Sequence, residues 1–156
     1  MTHIFTTISS IAPDFTIEST SGAPIALSSY RGEQAVLLAF FPLAFTSVCT
    51  AELCSFTDNY ECFAKHNVTV LPISVDSVPT LKEFKAKYGI KTELLSDFKR
   101  EVGKLYGVLL PDKFYHNRAY FLIDREGVIR WEHVEEYPYM KREDAELLAE
   151  IAKLPK

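Results

Sequence analysis

One apolar segment, from Ala35 to Phe41, limits what this chain can fold into more than any other feature of its sequence. Every residue in it is apolar, and Pro42 ends the run. A short apolar run bounded by a turn-forming residue indicates a strand that is buried on both faces, and we predict this strand over residues 34–41. Such a strand needs a packed layer on each side, which favours a sheet with helices against both of its faces.

Strand and helix patterns alternate through most of the remaining chain. A helix pattern leads from the first apolar strand to a second one, residues 68–75, which predicts parallel pairing through a right-handed crossover. Residues 124–127 lie between two late strand patterns and predict a hairpin, so we expect a mixed α/β sheet with an antiparallel edge. The predicted strands are residues 15–18, 24–27, 34–41, 68–75, 94–95, 119–123 and 128–133, and the predicted helices are residues 46–65, 79–89, 97–107 and 142–153.

Length and composition narrow the possible classes of protein. At 156 residues, 47% of them hydrophobic, the chain has the size of one domain, which we expect to span residues 1–156. The net charge of −4 gives no electrostatic case for binding nucleic acid or an anionic membrane, and the longest apolar stretch, residues 35–45, is too short to cross a bilayer. Three cysteines without a signal-peptide pattern favour thiol chemistry in a reducing compartment, so we expect a cytoplasmic protein.

A cysteine lies in the first turn of the predicted helix that follows the apolar strand. Thr46 is the expected N-cap, which makes Cys49 the third helical residue and directs its N–H toward the threonine hydroxyl. The unpaired N–H groups and partial positive charge of a helix N-terminus favour a thiolate. On a helical wheel Cys49 lies on an apolar stripe, which is equally typical of an unreactive core cysteine. The other members of this stripe are Leu53, Phe56, Tyr60 and Phe63.

Two further residues favour a reactive site around this cysteine. Pro42 and Thr46 predict a tight, shielded pocket at the first helical turn, and Arg118, at the start of a predicted strand, has the charge to complete it. Arg130 is a rival cation, but it belongs to the edge hairpin and we expect it to point outward. An arginine at the start of a strand is more often a surface residue, so the pattern alone leaves the role of Arg118 open.

The spacing Pro42-x-x-x-Thr46-x-x-Cys49 resembles the active-site signature of the peroxiredoxins. Within that family, the segment that contains it is most similar to the alkyl hydroperoxide reductase E type, whereas the presence of a second cysteine is similar to the Q type, also called bacterioferritin comigratory protein. The resemblance implies a thioredoxin-like fold. The other segments that resemble the family, in the family's order, are residues 12–15, 72–76, 95–97 and 117–124.

The resemblance also implies a role for each residue of the pocket. Cys49 would be the peroxidatic cysteine, which attacks a hydroperoxide and becomes a sulfenic acid. Thr46 would bind the peroxide, Arg118 would stabilise the thiolate and the breaking O–O bond, and Pro42 would keep water away. Glu52 matches an acidic position of the family and would orient Arg118, although an acidic residue near a helix start is equally explained by the helix dipole.

The remaining cysteines raise the question of how an oxidised Cys49 would be reduced. Cys54 falls on the polar side of the helix, as expected of a resolving cysteine. In an intact helix, however, Cα atoms five residues apart are separated by about 8.7 Å, which exceeds the limit of about 7 Å for a disulfide. We therefore expect a Cys49–Cys54 disulfide only if the first turn unwinds, with resolution by an external thiol as the alternative. Cys62 is expected to be a bystander.

Taken with the residues, the resemblance implies a peroxidase for hydrogen peroxide and organic hydroperoxides. Electrons would come from thioredoxin or a similar dithiol protein, the enzyme would need no metal, haem or flavin, and it would be a homodimer. Two other functions remain open. A thioredoxin-like disulfide oxidoreductase would be expected to carry Cys-x-x-Cys, whereas the spacing here is Cys-x4-Cys. A redox sensor or holdase would use the same cysteine without turnover.

Overall fold

The computed structural model describes residues 6–155, which form a five-stranded mixed sheet with helices on both faces. In chain order the strands are β1 (Thr16–Ile17), β2 (Ile25–Ala26), β3 (Ala35–Phe40), β4 (Val68–Ser74), β5 (Leu95–Ser96), β6 (Leu109–Leu110), β7 (Tyr115–His116), β8 (Ala119–Ile123) and β9 (Ile129–Val134). The helices are α1 (Ser47–Asp58), α2 (Tyr60–Lys65), α3 (Val78–Tyr88), α4 (Glu101–Leu105) and α5 (Asp144–Ile151), with a short 3-10 helix at Leu27–Tyr30. Within residues 6–155, no helix is long and apolar enough to cross a membrane.

The apolar strand β3 lies at the centre of the sheet, whose strand order is β5-β4-β3-β8-β9. It pairs in parallel with β4 and antiparallel with β8, while β8 and β9 form the antiparallel hairpin. The predicted parallel crossover, late hairpin and mixed α/β sheet are therefore confirmed. The prediction of a single domain over residues 1–156 extends beyond the described residues and stays a prediction.

Alternate side chains of β3 enter two separate cores. Leu37 and Ala39 pack in a core with α1, α3 and α5, whereas Leu38 and Phe40 pack on the opposite face with Tyr106, just after α4. All these side chains are almost completely buried. The strand therefore holds α1, which begins a few residues after it, firmly against one face of the sheet.

The long helix predicted over residues 46–65 is in fact two helices. Asn59 leaves helical geometry, and its side-chain amide donates to the Ser55 carbonyl and to the Asp144 carboxylate. Such a side chain competes with backbone hydrogen bonds, which accounts for the break. Tyr60 is the first residue after the break, and the prediction that it is buried in the stripe was wrong: Tyr60 is 38% exposed. The other four stripe residues are buried as predicted.

The segment after β5 contains less helix than predicted and an additional hairpin. Helix α4 is only five residues long, and its N-cap position is Arg100, not Asp97 as expected. The Asp97 carboxylate nevertheless accepts the N–H groups of Val102 and Gly103 in the first turn, at 3.0 and 2.7 Å. The hairpin of β6 and β7 was not predicted. Its strands of two residues each are too short to show an alternating pattern.

Candidate active site

The loop between β3 and α1 is held by two hydrogen bonds on either side of a strained residue. Phe45 has a φ of 70°, in the left-handed region that side chains other than glycine rarely occupy. Just before it, the Ala44 N–H donates to the Asp76 carboxylate at 2.8 Å. Just after it, the Thr46 hydroxyl donates to the Leu43 carbonyl at 2.7 Å. Asp76, two residues after the end of β4, thus helps to fix the path by which the chain enters α1.

Thr46 occupies the N-cap position, but its side chain does not cap the helix. Its backbone is extended, with φ −80° and ψ 155°, and no hydrogen bond joins its hydroxyl to a helical N–H. The expected bond from the Cys49 N–H was therefore wrong, because the hydroxyl turns back to Leu43 instead. Since its proton is used there, the hydroxyl oxygen keeps lone pairs with which to accept a hydrogen bond from a ligand.

Cys49 is the third residue of α1 and its side chain is 1% exposed. The first intrahelical bond runs from the Thr50 N–H to the Thr46 carbonyl at 2.9 Å. The amides of Ser47, Val48 and Cys49 precede this bond and have no carbonyl of the helix to bond to. The sulfur therefore lies at the positive end of the helix dipole, shielded from bulk water.

Arg118 is the cation of this site. It immediately precedes β8, its side chain is 1% exposed, and Nη2 lies 3.1 Å from the Cys49 sulfur. Nη1 donates to Glu52 Oε1 at 2.7 Å, and Nε and Nη2 donate to the Pro138 carbonyl at 3.2 and 3.1 Å. Burial lowers the pKa of Arg118, but Glu52 and the Cys49 sulfur raise it by more, so the guanidinium stays charged.

Glu52 lies one turn after Cys49 and is buried, with both carboxylate oxygens hydrogen-bonded. Oε1 accepts from Arg118, and Oε2 accepts from the Tyr120 hydroxyl. Burial raises the pKa of Glu52, although Arg118 and the Tyr120 hydroxyl both favour its charged form. The Glu52 carboxylate therefore contacts the guanidinium and is not a solvent-exposed charge at the helix start.

A segment that we call the strap, residues 135–142, crosses over the arginine between β9 and α5. Asn117 ties the arginine to it: the Arg118 N–H donates to Asn117 Oδ1 at 2.9 Å, and the Asn117 amide donates to the Glu135 carbonyl at 2.7 Å. The Glu135 N–H in turn donates to the Arg118 carbonyl at 2.9 Å. Together with the Pro138 carbonyl, these bonds hold the arginine in place from the side of the strap.

Sequence reasoning missed three residues of this arrangement. None of the three was proposed as a site residue. Asn117 and Pro138 accept hydrogen bonds from Arg118, and Tyr120 donates to Glu52. A signal for Tyr120 was present, because residues two apart on a strand face the same side of the sheet, and Tyr120 follows Arg118 at that spacing. No signal in the sequence indicates a backbone carbonyl such as that of Pro138.

The other candidate residues lie apart from this cluster or at its edge. Cys54 is half-buried within the continuous helix α1, Cys62 is exposed on α2, and neither forms a disulfide. Arg130 points outward as expected, 41% exposed and paired with Asp124 at 2.6 Å. Pro42 is buried, two residues after the end of β3. Within residues 6–155, no cluster of three or more acidic, histidine or cysteine side chains is arranged to hold a metal ion.

Comparisons with known proteins agree with this arrangement. The model of the AhpC/TSA family matches residues 8–132. Alkyl hydroperoxide reductase E of Mycobacterium tuberculosis is 39% identical over 126 residues, which cover 80% of this chain and 82% of that protein. The 2-Cys peroxiredoxin BAS1 of barley (Hordeum vulgare) is 39% identical over 129 residues, covering 76% of this chain but only 61% of the length of that protein.

Solved structures give the same result. The reduced 2-Cys peroxiredoxin of Plasmodium vivax superposes with a TM-score of 0.87 at 33% identity, covering 94% of this chain and 81% of that one. The mitochondrial 2-Cys peroxiredoxin of Plasmodium falciparum superposes with a TM-score of 0.81 at 31% identity, covering 94% and 92%. These matches confirm the thioredoxin-like fold. Because the family model spans most of the chain, including the buried cysteine and its arginine, this chain belongs to the AhpC/TSA family, that of the peroxiredoxins.

Proposed function

We propose that this chain is a thiol-dependent peroxidase that reduces hydrogen peroxide and organic hydroperoxides through Cys49. The observation that carries the proposal is the contact of 3.1 Å between the Arg118 guanidinium and the buried Cys49 sulfur at a helix N-terminus. A cation and unpaired N–H groups are what an anionic sulfur needs when it is removed from water. Membership of the AhpC/TSA family supports the same activity.

The chemical step follows from these groups. The Cys49 thiolate attacks the outer oxygen of ROOH, the S–O bond forms as the O–O bond breaks, and RO⁻ leaves with the bonding pair and takes up a proton to become ROH. Cys49 is left as a sulfenic acid. Arg118 stabilises the charge that moves from sulfur to the leaving oxygen, and the helix amides are available to do the same.

The threonine and the aromatic rim would bind the peroxide. The free lone pairs of the Thr46 hydroxyl accept a hydrogen bond from the O–H of the peroxide. Phe45 is 46% exposed beside the entrance to α1 and packs on Phe84 and Tyr88, with ring centroids 5.0 and 6.5 Å away. This apolar rim supports the inclusion of organic hydroperoxides among the substrates.

Reduction of the sulfenic acid would proceed through Cys54. The Cys54 thiol displaces the hydroxyl of the sulfenic acid, which releases water and leaves a Cys49–Cys54 disulfide. Because both cysteines lie on the continuous helix α1, the first turn must unwind for this bond to form. Thioredoxin or a similar dithiol protein would then reduce the disulfide and become oxidised itself. We further propose a homodimer, on the strength of the family resemblance alone. We propose a cytoplasmic location because the number of cysteines is odd, which favours a reducing compartment.

The test is peroxide titration followed by intact mass and disulfide mapping. Cys49→Ser should abolish peroxide consumption. Cys54→Ser should accumulate sulfenic or sulfinic acid at Cys49, whereas the matched control Cys62→Ser should form the internal disulfide as wild type does.

Two outcomes would contradict parts of the proposal. Full turnover of Cys54→Ser with the same dithiol donor would establish the one-cysteine mechanism and leave the peroxidase activity standing. Stoichiometric oxidation of the wild type without turnover by any thiol reductant would favour a redox sensor. Light scattering of the reduced protein tests the homodimer.

A further inference from the structure

Tyr120 is a buried polar residue to which the peroxidase chemistry above assigns no role. It lies in β8, its ring is completely buried, and it is two residues beyond Arg118. Its hydroxyl donates to Glu52 Oε2 and accepts the N–H of Arg142 at 3.0 Å. The phenol thus joins the carboxylate next to the catalytic arginine to the far end of the strap.

The direction of these hydrogen bonds is fixed by chemistry. Burial and the adjacent Glu52 carboxylate raise the pKa of Tyr120, so the phenol keeps its proton. That proton goes to Glu52, because the Arg142 N–H can only donate and therefore takes a lone pair of the phenol oxygen. The hydroxyl therefore satisfies both neighbours in one orientation, in which it donates to Glu52 and accepts from Arg142.

The phenol also determines how Glu52 can lie. One carboxylate oxygen accepts from Arg118 Nη1 and the other accepts from the phenol, so each oxygen has its own donor and together the two donors orient the carboxylate. Without the phenol, Oε2 would be a buried acceptor without this donor, and the carboxyl would turn or take up a proton to avoid that cost. Either change weakens its hold on Arg118.

We propose that Tyr120 is a positioning residue for Cys49 oxidation: its phenol orients the Glu52 carboxylate, which holds the Arg118 guanidinium on the sulfur, and ties both to the strap. This inference rests on the proposed peroxidase function. Tyr120 does not touch the sulfur or the peroxide, and it acts only through Glu52 and Arg118.

The chain provides a matched control in Tyr106. This tyrosine is also completely buried and also donates its hydroxyl to a protein acceptor, the Pro13 carbonyl at 2.6 Å, but it lies in the core on the other face of the sheet. Tyr106→Phe and Tyr120→Phe each remove one buried hydroxyl. A role in stability alone predicts similar effects from the two substitutions.

The first measurement is the second-order rate constant for oxidation of Cys49 by hydrogen peroxide in a single turnover without reductant. We expect Tyr120→Phe to lower it about tenfold, the effect of losing a hydrogen bond to a charged group. We expect Tyr106→Phe to stay within about twofold of wild type, because its hydroxyl is not coupled to the site. Equal rate constants for the two variants would overturn the proposal.

A double-mutant cycle with Glu52→Gln separates positioning from a general loss of stability. If the phenol acts through the carboxylate, Tyr120→Phe costs little further rate in the Glu52→Gln background. Full additivity of the two losses would overturn the proposed route. Because the rate is that of Cys49 oxidation, failure of the peroxidase function itself would appear separately, as an unreactive wild type.

The link between Tyr120 and the strap can be tested at the Arg142 amide, in the Glu52→Gln variant, which keeps Tyr120. In Glu52→Gln, the side-chain amide oxygen accepts from Arg118, which places the NH₂ group toward the Tyr120 phenol. That NH₂ group and the Arg142 N–H are then both donors that compete for the same phenol oxygen. Hydrogen exchange of the Arg142 amide should therefore rise, by about fivefold or more for a weakened hydrogen bond. Exchange equal to that of wild type would overturn the link to the strap.

Discussion

At the scale of single residues, the site depends on a sulfur, a guanidinium and a carboxylate that come from two elements. Cys49 and Glu52 lie one turn apart on α1, and Arg118 reaches both from the start of β8. Arg118 is buried, with Glu52 as its counterion and the Cys49 sulfur and Pro138 carbonyl as further acceptors. Arg130, in contrast, is exposed. The planar fork of arginine is what allows one side chain to contact sulfur, carboxylate and carbonyl together.

Replacing the arginine should separate its role from that of charge in general. Arg118→Ala should lower the rate constant for Cys49 oxidation by hydrogen peroxide about a hundredfold, since one stabiliser of developing charge is removed. Arg118→Lys should recover only part of the loss, because an ammonium group cannot make the same set of contacts. Arg130→Ala is the control and should leave the rate unchanged; a rate for Arg118→Ala equal to that of Arg130→Ala would exclude Arg118 from the reaction.

At the scale of elements, short segments are held by individual contacts. Helix α4 packs against β7 at one glycine: a Cβ on Gly103 would lie 2.6 Å from two ring atoms of His116. That imidazole is completely buried and bonded to Asp97 at 2.8 Å, so it has no freedom to move aside. The glycine is therefore required for close approach between the helix and the imidazole, and not for an unusual backbone angle.

Gly103→Ala should consequently destabilise the fold. We expect a loss of about 1–3 kcal/mol in the free energy of unfolding, the cost of overpacking a closely packed interior. Denaturant titration measures it. In a His116→Ala background the same substitution should cost little or should stabilise, because the clash is gone. A Gly103→Ala variant as stable as wild type would contradict the packing described here.

The hairpin of β8 and β9 carries a pH-dependent contribution. Although burial alone raises the pKa of Asp124, the Arg130 side chain and the N–H groups of Val128 and Glu126 lower it by more, so the net pKa lies below its ordinary value of 3.8. A lowered folded-state pKa gives stability that is present above that ordinary value and lost as pH falls through the folded-state pKa. Asp124→Asn should therefore flatten the loss of stability below about pH 4. Acid unfolding curves of the two proteins test this, and identical slopes would contradict it.

At the scale of the whole molecule, the sequence predicted what depends on local pattern. The apolar strand, the parallel crossover and the late hairpin follow from runs and turns, and the predicted helix start singled out Cys49. The family resemblance then favoured Arg118 over Arg130. The break at Asn59 was missed because it depends on a tertiary bond to Asp144. The contact of the Pro138 carbonyl with Arg118 was missed because no local pattern encodes a contact between a backbone group and a side chain twenty residues away.

The most direct test of the account compares Cys49 in the folded chain with the same cysteine in the chain unfolded by denaturant. Equimolar hydrogen peroxide is added at neutral pH, and oxidation of Cys49 is followed over time by quenching and peptide mass. We predict that folding raises the rate constant by several orders of magnitude, because the arginine and the helix amides act only when assembled. A cysteine that reacts no faster folded than unfolded would contradict the central claim, since the buried guanidinium would then contribute nothing to the chemistry of the sulfur.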